Sequence, residues 1–224
     1  MNYKGYLFKG EFMKYYKGML SKNEIVTIAD DIKKGKIFVF PTETVYGIGT
    51  NVYNEESCKK IYEIKKRPEW KPLIVLISDS KMLNGLVKNI NDIEKKLIDT
   101  FWPGPLTIVF QKKENLLISK YVSAGLDTIG IRMTDGEIVQ KIIRKANVPI
   151  VAPSANLSGR TDGTKILEIM DEVGNGIDGI IDIGDISNSI PSTLVQVFEN
   201  KIKVLREGKI SKEKLSEIAE VIEM

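Results

Sequence analysis

Lysine, arginine, carboxylate and hydroxyl side chains must carry whatever chemistry this chain performs, because its 224 residues include no histidine. That absence removes Ser-His-Asp and Cys-His catalysis, histidine-ligated zinc and histidine proton relays together. The single cysteine, Cys58, excludes an internal disulfide and a multi-cysteine zinc site, and its place in a helical pattern suits a packed thiol. What remains is a set of cations and hydroxyls suited to phosphate. Lys65-x-Arg67, with Lys71 four residues on, puts three cations at the end of a helix pattern just before an apolar run. Arginine's fork binds phosphate bidentately and lysine adds a point charge, so the cluster fits a triphosphate; the same cations would also serve as an ordinary helix C-terminal cap. Ser154-x-Asn156, with Ser158 and Gly159 beyond, offers hydroxyl and amide groups without charge, as a plain Asx or Ser turn also would. Arg132 alternates out of the apolar run Ile129-Gly-Ile-Arg-Met133, so it either faces solvent or is buried against an anion. Thr42, Glu43, Thr44 and Tyr46 follow the run Phe38–Pro41, Ser192 and Thr193 follow Pro191, and Arg206 closes another apolar run. No Gly-x-x-x-x-Gly-Lys-Ser/Thr loop occurs, and Gly47-x-Gly49 lacks the third glycine of a dinucleotide fingerprint.

Hydrophobic periodicity supplies the elements that must hold these groups. Ser21-Lys-Asn-Glu24 is a capping box, with Ile25, Ile28, Ala29 and Ile32 at helical spacing until Gly35. Phe38–Pro41 is a strand: Pro41 removes a donor where pairing stops, and Gly47 and Gly49 let backbone approach a ligand closely. In open α/β sheets, ligands bind at such strand ends. Asn54 caps a helix ending in Lys65-Lys-Arg67, and Leu73–Ile77 is a buried strand. Residues 91–102 form a helix stopped by Pro103-Gly-Pro105, followed by a strand over 106–110. No element is assigned over 112–127. Thr128–Met133 is a strand, and Thr134-Asp-Gly-Glu137 is a second capping box opening a helix to about Ala146. Further strands cover 148–152, 179–183, 192–198 and 201–206; helices cover 164–173 and Ser211–Ile222, the last striped by Leu215, Ile218, Ala219 and Ile222. Strands and helices interleave irregularly, which favours a single three-layer α/β domain (α+β type) with a twisted mixed β-sheet flanked by helices. Residues 1–20 form an extension of unassigned structure, and residues 21–224 the domain.

Composition is that of an ordinary globular chain, 42% hydrophobic and 28% charged, without an apolar run long enough to span a membrane. A cytoplasmic location is expected. Net charge is only +3 but unevenly spread: residues 59–71 hold six basic groups against two acids. Such local fields attract polyanions.

Pro41-Thr-Glu-Thr-Val-Tyr-Gly-Ile-Gly49, Lys65-Lys-Arg-Pro68 with Lys71-Pro-Leu73, Trp102-Pro-Gly-Pro-Leu-Thr107, Ile129-Gly-Ile-Arg132, Pro153-Ser-Ala-Asn156 with Ser158-Gly159, Pro191-Ser-Thr193 and Leu205-Arg206-x-Gly208 occur in one order. That series resembles the YrdC-like family over about Ser21 to Ile210. The resemblance implies an L-threonylcarbamoyladenylate synthase, a nucleotidyltransferase. Such an enzyme converts L-threonine, bicarbonate and ATP to threonylcarbamoyl-AMP and pyrophosphate, for N6-threonylcarbamoylation of tRNA adenosine beside the anticodon. By motif position it implies Lys65 and Arg67 as catalytic residues that also bind ATP with Lys71, Thr128, Ser154, Asn156 and Arg206. Thr42 or Thr44, Arg132 and Ser192 would hold threonine. It further implies Mg²⁺ held mainly by ATP phosphates rather than by a protein metal site, contact with tRNA or double-stranded RNA, and downstream tRNA threonylcarbamoyl transferase proteins as partners. Alternation along an extended chain puts Thr42 and Thr44 on one side and does not choose between them. The chain departs from many relatives where Leu76 and Thr134-Asp-Gly136 stand in place of a histidine and a Pro-x-His segment, which bears on selectivity for threonine. With no second domain after Met224, it resembles the short form of the family. Two other functions compete: an RNA-binding or ribosome-assembly module with a basic concave surface, and a carbamoyltransferase like the YrdC-like domain of hydrogenase-maturation enzymes.

Overall fold

The computed structural model describes residues 3–8, 11–160, 163–187 and 190–222. In chain order the elements are β1 (Tyr3–Phe8), β2 (Glu11–Lys17), α1 (Lys22–Lys33), β3 (Phe38–Pro41), β4 (Tyr46–Asn51), α2 (Glu55–Lys65), β5 (Val75–Leu76), α3 (Ser80–Leu86), α4 (Asp92–Phe101) and β6 (Leu106–Gln111). They continue with α5 (Lys120–Ser123), β7 (Thr128–Arg132), α6 (Glu137–Ala146), β8 (Ile150–Val151), α7 (Ile166–Val173), β9 (Gly179–Asp182), β10 (Thr193–Phe198), β11 (Lys201–Arg206), α8 (Lys212–Ser216) and β12 (Val221–Ile222). The described strands join in one mixed sheet, ordered β1-β2-β9-β3-β4-β8-β5-β7-β6-β10-β11-β12. Parallel pairs (β2/β9, β9/β3, β5/β7, β6/β10, β11/β12) alternate irregularly with antiparallel ones.

The sheet is covered on both faces, giving the expected mixed α/β domain. β3 shows why. All its residues are buried, and successive side chains point to opposite faces. Phe38 and Phe40 enter a cluster with Ile28 and Ile32 of α1 and Val139 and Ile142 of α6. Val39 enters the larger cluster with Ile61 of α2, Leu97 of α4, Ile169 of α7 and Leu215 of α8. Burying a side chain of this size stabilises by about 1.5–3 kcal/mol, so neither face of β3 could be left uncovered.

Several local expectations are corrected. β2 pairs in parallel with β9, so the N-terminal segment adds to the sheet edge; residues 1, 2, 9 and 10 of that extension lie outside the described residues, as do residues 161, 162, 188, 189, 223 and 224. Gly47 and Gly49 lie within β4, and what approaches them is protein. A Cβ on Gly49 would meet the Val151 carbonyl at 2.1 Å and the Phe40 ring at 2.9 Å. The Leu73–Ile77 strand is confined to Val75–Leu76, because the Leu73 amide bonds to Val122 in the α5 turn. The capping box at Ser21 forms as expected, with Ser21 Oγ accepting from the Glu24 amide and Glu24 Oε2 from the Ser21 amide. The one at Thr134 does not. Gly136, which has no side chain to offer, is the N-cap of α6, and the Thr134 hydroxyl accepts from the Gly136 amide at 3.1 Å instead. The closing helix ends at Ser216, since β11 presents a free edge that Val221 and Ile222 join. The segment Ser80–Leu86, unassigned from sequence, is helical behind an Asp79 cap.

Candidate active site

Helix α2 delivers the first group of candidate residues. Lys65, in its last turn, is 1% exposed, and its ammonium donates to the Ser154 carbonyl at 2.5 Å and to the Asn156 carbonyl. Burial, with the like charge of Arg67 adding, pulls its pKa down to about 7. Two of three N–H groups are thus committed to shaping the Pro153–Asn156 turn. The Ser158 amide bonds back to the Lys65 carbonyl at 2.9 Å, locking turn to helix. Asn156 donates to the carbonyls of Leu157 (2.9 Å) and Arg160 (2.6 Å), leaving its buried Oδ1 without a hydrogen-bond partner. The helix stops at Lys66, which adopts φ 48°, so the chain turns sharply and brings Arg67 inward. Arg67 grips its own loop, Nε on the Lys71 carbonyl (3.1 Å) and Nη2 on the Pro72 carbonyl (2.8 Å).

The second group surrounds Arg132, at the end of β7 and 6% exposed. Its Nη1 donates to Thr44 Oγ1 at 3.1 Å and lies 3.5 Å from Glu43 Oε1; its buried Nε has no partner. Thr42 and Thr44 hydroxyls lie 3.0 Å apart, on one side as alternation requires, but they differ in use. Thr42 bonds back to the Val45 carbonyl at 2.6 Å, so Thr44 alone faces the guanidinium. Glu43 Oε2 accepts from the Thr134 hydroxyl, whose oxygen also accepts from the Gly136 amide. Partial burial and the facing Glu43 carboxylate push the Asp135 carboxyl up, with Lys209 opposing.

The third group joins the ends of β10 and β11. Arg206 donates from Nε and Nη2 to the Ser192 carbonyl (3.2 and 2.8 Å) and from Nη2 to Ser192 Oγ (3.0 Å). Ser192 Oγ lies 2.8 Å from Thr107 Oγ1. Burial, then the like charges of Arg132 and Arg67, lower the Arg206 pKa. Arg206 therefore stands in the field of both other guanidinium groups. Such a field, with the Arg132 Nε donor left unpartnered, suits a polyanion.

Thr128 opens β7 at the end opposite Arg132, paired with Gln111, and no hydrogen bond joins it to the other candidates. Lys71 lies on the Arg67 loop with its ammonium 5.1 Å from the Trp70 ring centroid. Glu43, Thr134, Asp135 and Thr107 stand beside these candidates, although their sequence contexts give them no site role. Glu43 was visible between two assigned threonines. Its partner Thr134 was hidden because Thr-x-x-Glu is also a capping signal. Among the described residues no group of three or more His, Cys, Asp or Glu side chains could hold a metal ion, and no helix is long and apolar enough to cross a membrane.

A family model described as "Telomere recombination", for Sua5, YciO and YrdC, matches residues 30–208. The chain is 39% identical over 201 residues to the threonylcarbamoyl-AMP synthase of Bacillus subtilis, covering 89% of this chain and 58% of that protein. A protein of Methanocaldococcus jannaschii, provisionally named a threonylcarbamoyl-AMP synthase, is 37% identical over 214 residues, covering 93% of this chain and 98% of its own. The crystal structure of Pyrococcus abyssi Sua5 complexed with L-threonine superposes with a TM-score of 0.85 at 34% identity, covering 93% of this chain and 62% of that one. The chain thus spans little more than half the length of its Bacillus relative.

Proposed function

The chain belongs to the Sua5/YciO/YrdC family, and from that membership and its arginine cluster we propose that it is an L-threonylcarbamoyladenylate synthase. The observation that carries the reading is that Arg67 and Arg132 both bear on Arg206, while the buried Arg132 keeps its Nε donor without a partner. In this reading the triphosphate lies against Arg67, Arg206, Lys71 and the third N–H of Lys65, with Ser154, Asn156 and Thr128 as further ATP contacts. Lys65 and Arg67 act on the reacting phosphate. Threonine's carboxylate lies against Arg132 and Ser192, and its hydroxyl against the Thr42–Thr44 pair, with Thr44 the nearer to Arg132.

The chemistry asks for little proton transfer by the protein. The threonine amine and bicarbonate condense to an N-carboxylate with loss of water. A carboxylate oxygen then attacks the α-phosphorus of ATP, and the bond to the bridging oxygen breaks to release pyrophosphate. Two anions must meet for that displacement, so screening by guanidinium groups and alignment are the main requirements. Mg²⁺ accompanying ATP would be carried by phosphate oxygens, its common habit, and would neutralise charge on them. The product would pass to tRNA threonylcarbamoyl transferase proteins, with tRNA as final acceptor and the cytoplasm as the compartment. A bare RNA-binding module is not favoured, because it gives no role to Arg132, buried against Thr44 and Glu43. Incubation with ATP, L-threonine and ¹³C-bicarbonate should yield a nucleotide carrying the label and the threonine mass. An unlabelled nucleotide pool would overturn the assignment.

A further inference from the structure

The loop from Lys66 to Pro72 is held more tightly than its exposure requires. The Arg67 amide bonds to the Tyr62 carbonyl at 2.9 Å, the Lys71 amide to the Pro68 carbonyl at 3.0 Å, and the Tyr62 hydroxyl to the Lys71 carbonyl at 2.6 Å. Together with the two Arg67 bonds these fix every turn of the loop. At its tip stands Trp70, 72% exposed, its ring approached by Lys71. The other tryptophan, Trp102, is half-buried, donates its indole N–H to the Leu106 carbonyl at 2.7 Å and packs edge-on against Phe110. Indole normally gains by burial, and nothing else in the loop's bonding depends on the Trp70 ring. A rigid, solvent-facing aromatic beside cations is the arrangement that stacks nucleobases while neighbouring charges hold their phosphates. Arg67 and Trp70 are three residues apart, at most about 10 Å along the chain, within the reach of one nucleotide from phosphate to base. Lys66, Arg67 and Lys71 lie within four residues of Trp70 in the chain, with Glu69 the one acid within the loop.

We propose that Trp70 is a stacking platform for a purine base whose phosphates are held by the Arg67–Lys71 cations, an inference that rests on the nucleotide site proposed above. The base is that of an adenine nucleotide, either ATP or an adenosine within single-stranded RNA. Fluorescence and affinity titrations of the full chain with ATP, inorganic tripolyphosphate and a short oligoadenylate test it and separate the two sources. ATP should quench the wild-type emission and leave that of Trp70→Phe, where Trp102 alone remains, almost unmoved. Trp70→Ala should weaken ATP about tenfold, within the range for loss of one stacked base, and leave tripolyphosphate affinity unchanged. If the loss falls on oligoadenylate and not on ATP, the stacked base belongs to RNA. Equal affinities of wild type and Trp70→Ala for both adenine ligands would overturn the platform while leaving the nucleotide site intact. Failure of the wild type to bind ATP or tripolyphosphate would overturn the site itself. Trp70 makes no core contact, so both variants should melt with the wild type.

Discussion

Lys65 joins structure to chemistry at a single nitrogen. A neutral amine keeps two N–H groups, enough for the Ser154 and Asn156 carbonyls, so the turn survives deprotonation and only the third proton is at stake. Burial holds the lysine pKa near 7, and a bound triphosphate would raise it again by favouring the charged form. Below pH 7 the proton is already present. Above it, ATP binding must take up a proton, so affinity should fall as pH rises, by up to about tenfold per unit. Titrations between pH 6 and 9 read that slope directly. Lys65→Met should abolish the slope and, by leaving two buried carbonyls without donors, lower stability by roughly 2–4 kcal/mol. The Lys-x-Arg spacing made both cations visible in the sequence. The division of labour between them was not, because the acceptors of Lys65 are backbone carbonyls some ninety residues away.

The β10–β11 pair and the loop after it show how elements set the site. Gly208 lies so close to the Pro191–Thr193 backbone that an added Cβ would meet the Pro191 carbonyl at 2.3 Å and the Thr193 nitrogen at 2.5 Å. Those atoms flank Ser192, which Arg206 grips. Gly208→Ala should therefore displace Ser192 and raise the threonine KM by about tenfold or more, a shift of only an ångström being able to cost that much. Steady-state kinetics with threonine and ATP varied in turn would find the ATP KM less affected. Elements fixed by local chemistry were legible: Ser21 with Glu24, Asn54 at α2, and the β10–β11 hairpin, whose Glu199 and Asn200 adopt positive φ. Elements decided by distant partners were not. β12 joins the open edge of β11, and Thr134 reaches Glu43, ninety-one residues away, while Gly136 takes the N-cap position of α6.

Over the whole molecule, the sheet is longer than the motifs required. β2 covers the edge of β9, burying Met13 and Tyr16, while Lys14 pairs with Asp31 of α1 and Tyr15 donates to Asp182. Removal of residues 1–20 should uncover that edge and cost about 3 kcal/mol, or roughly 6–12 °C in Tm. The candidate site residues all follow that segment, so substrate affinity at low temperature should persist; thermal melts and titrations on the shortened chain check both. An uncovered edge also invites association between copies, which light scattering would register. If the chain is the proposed synthase, Arg67, Arg132 and Arg206 hold ATP and threonine between them. Pyrophosphate release from ATP, assayed with L-threonine and bicarbonate each omitted in turn, tests it most directly. Release that requires both substrates is the expected result; release that persists without threonine, or none with all three present, would contradict it.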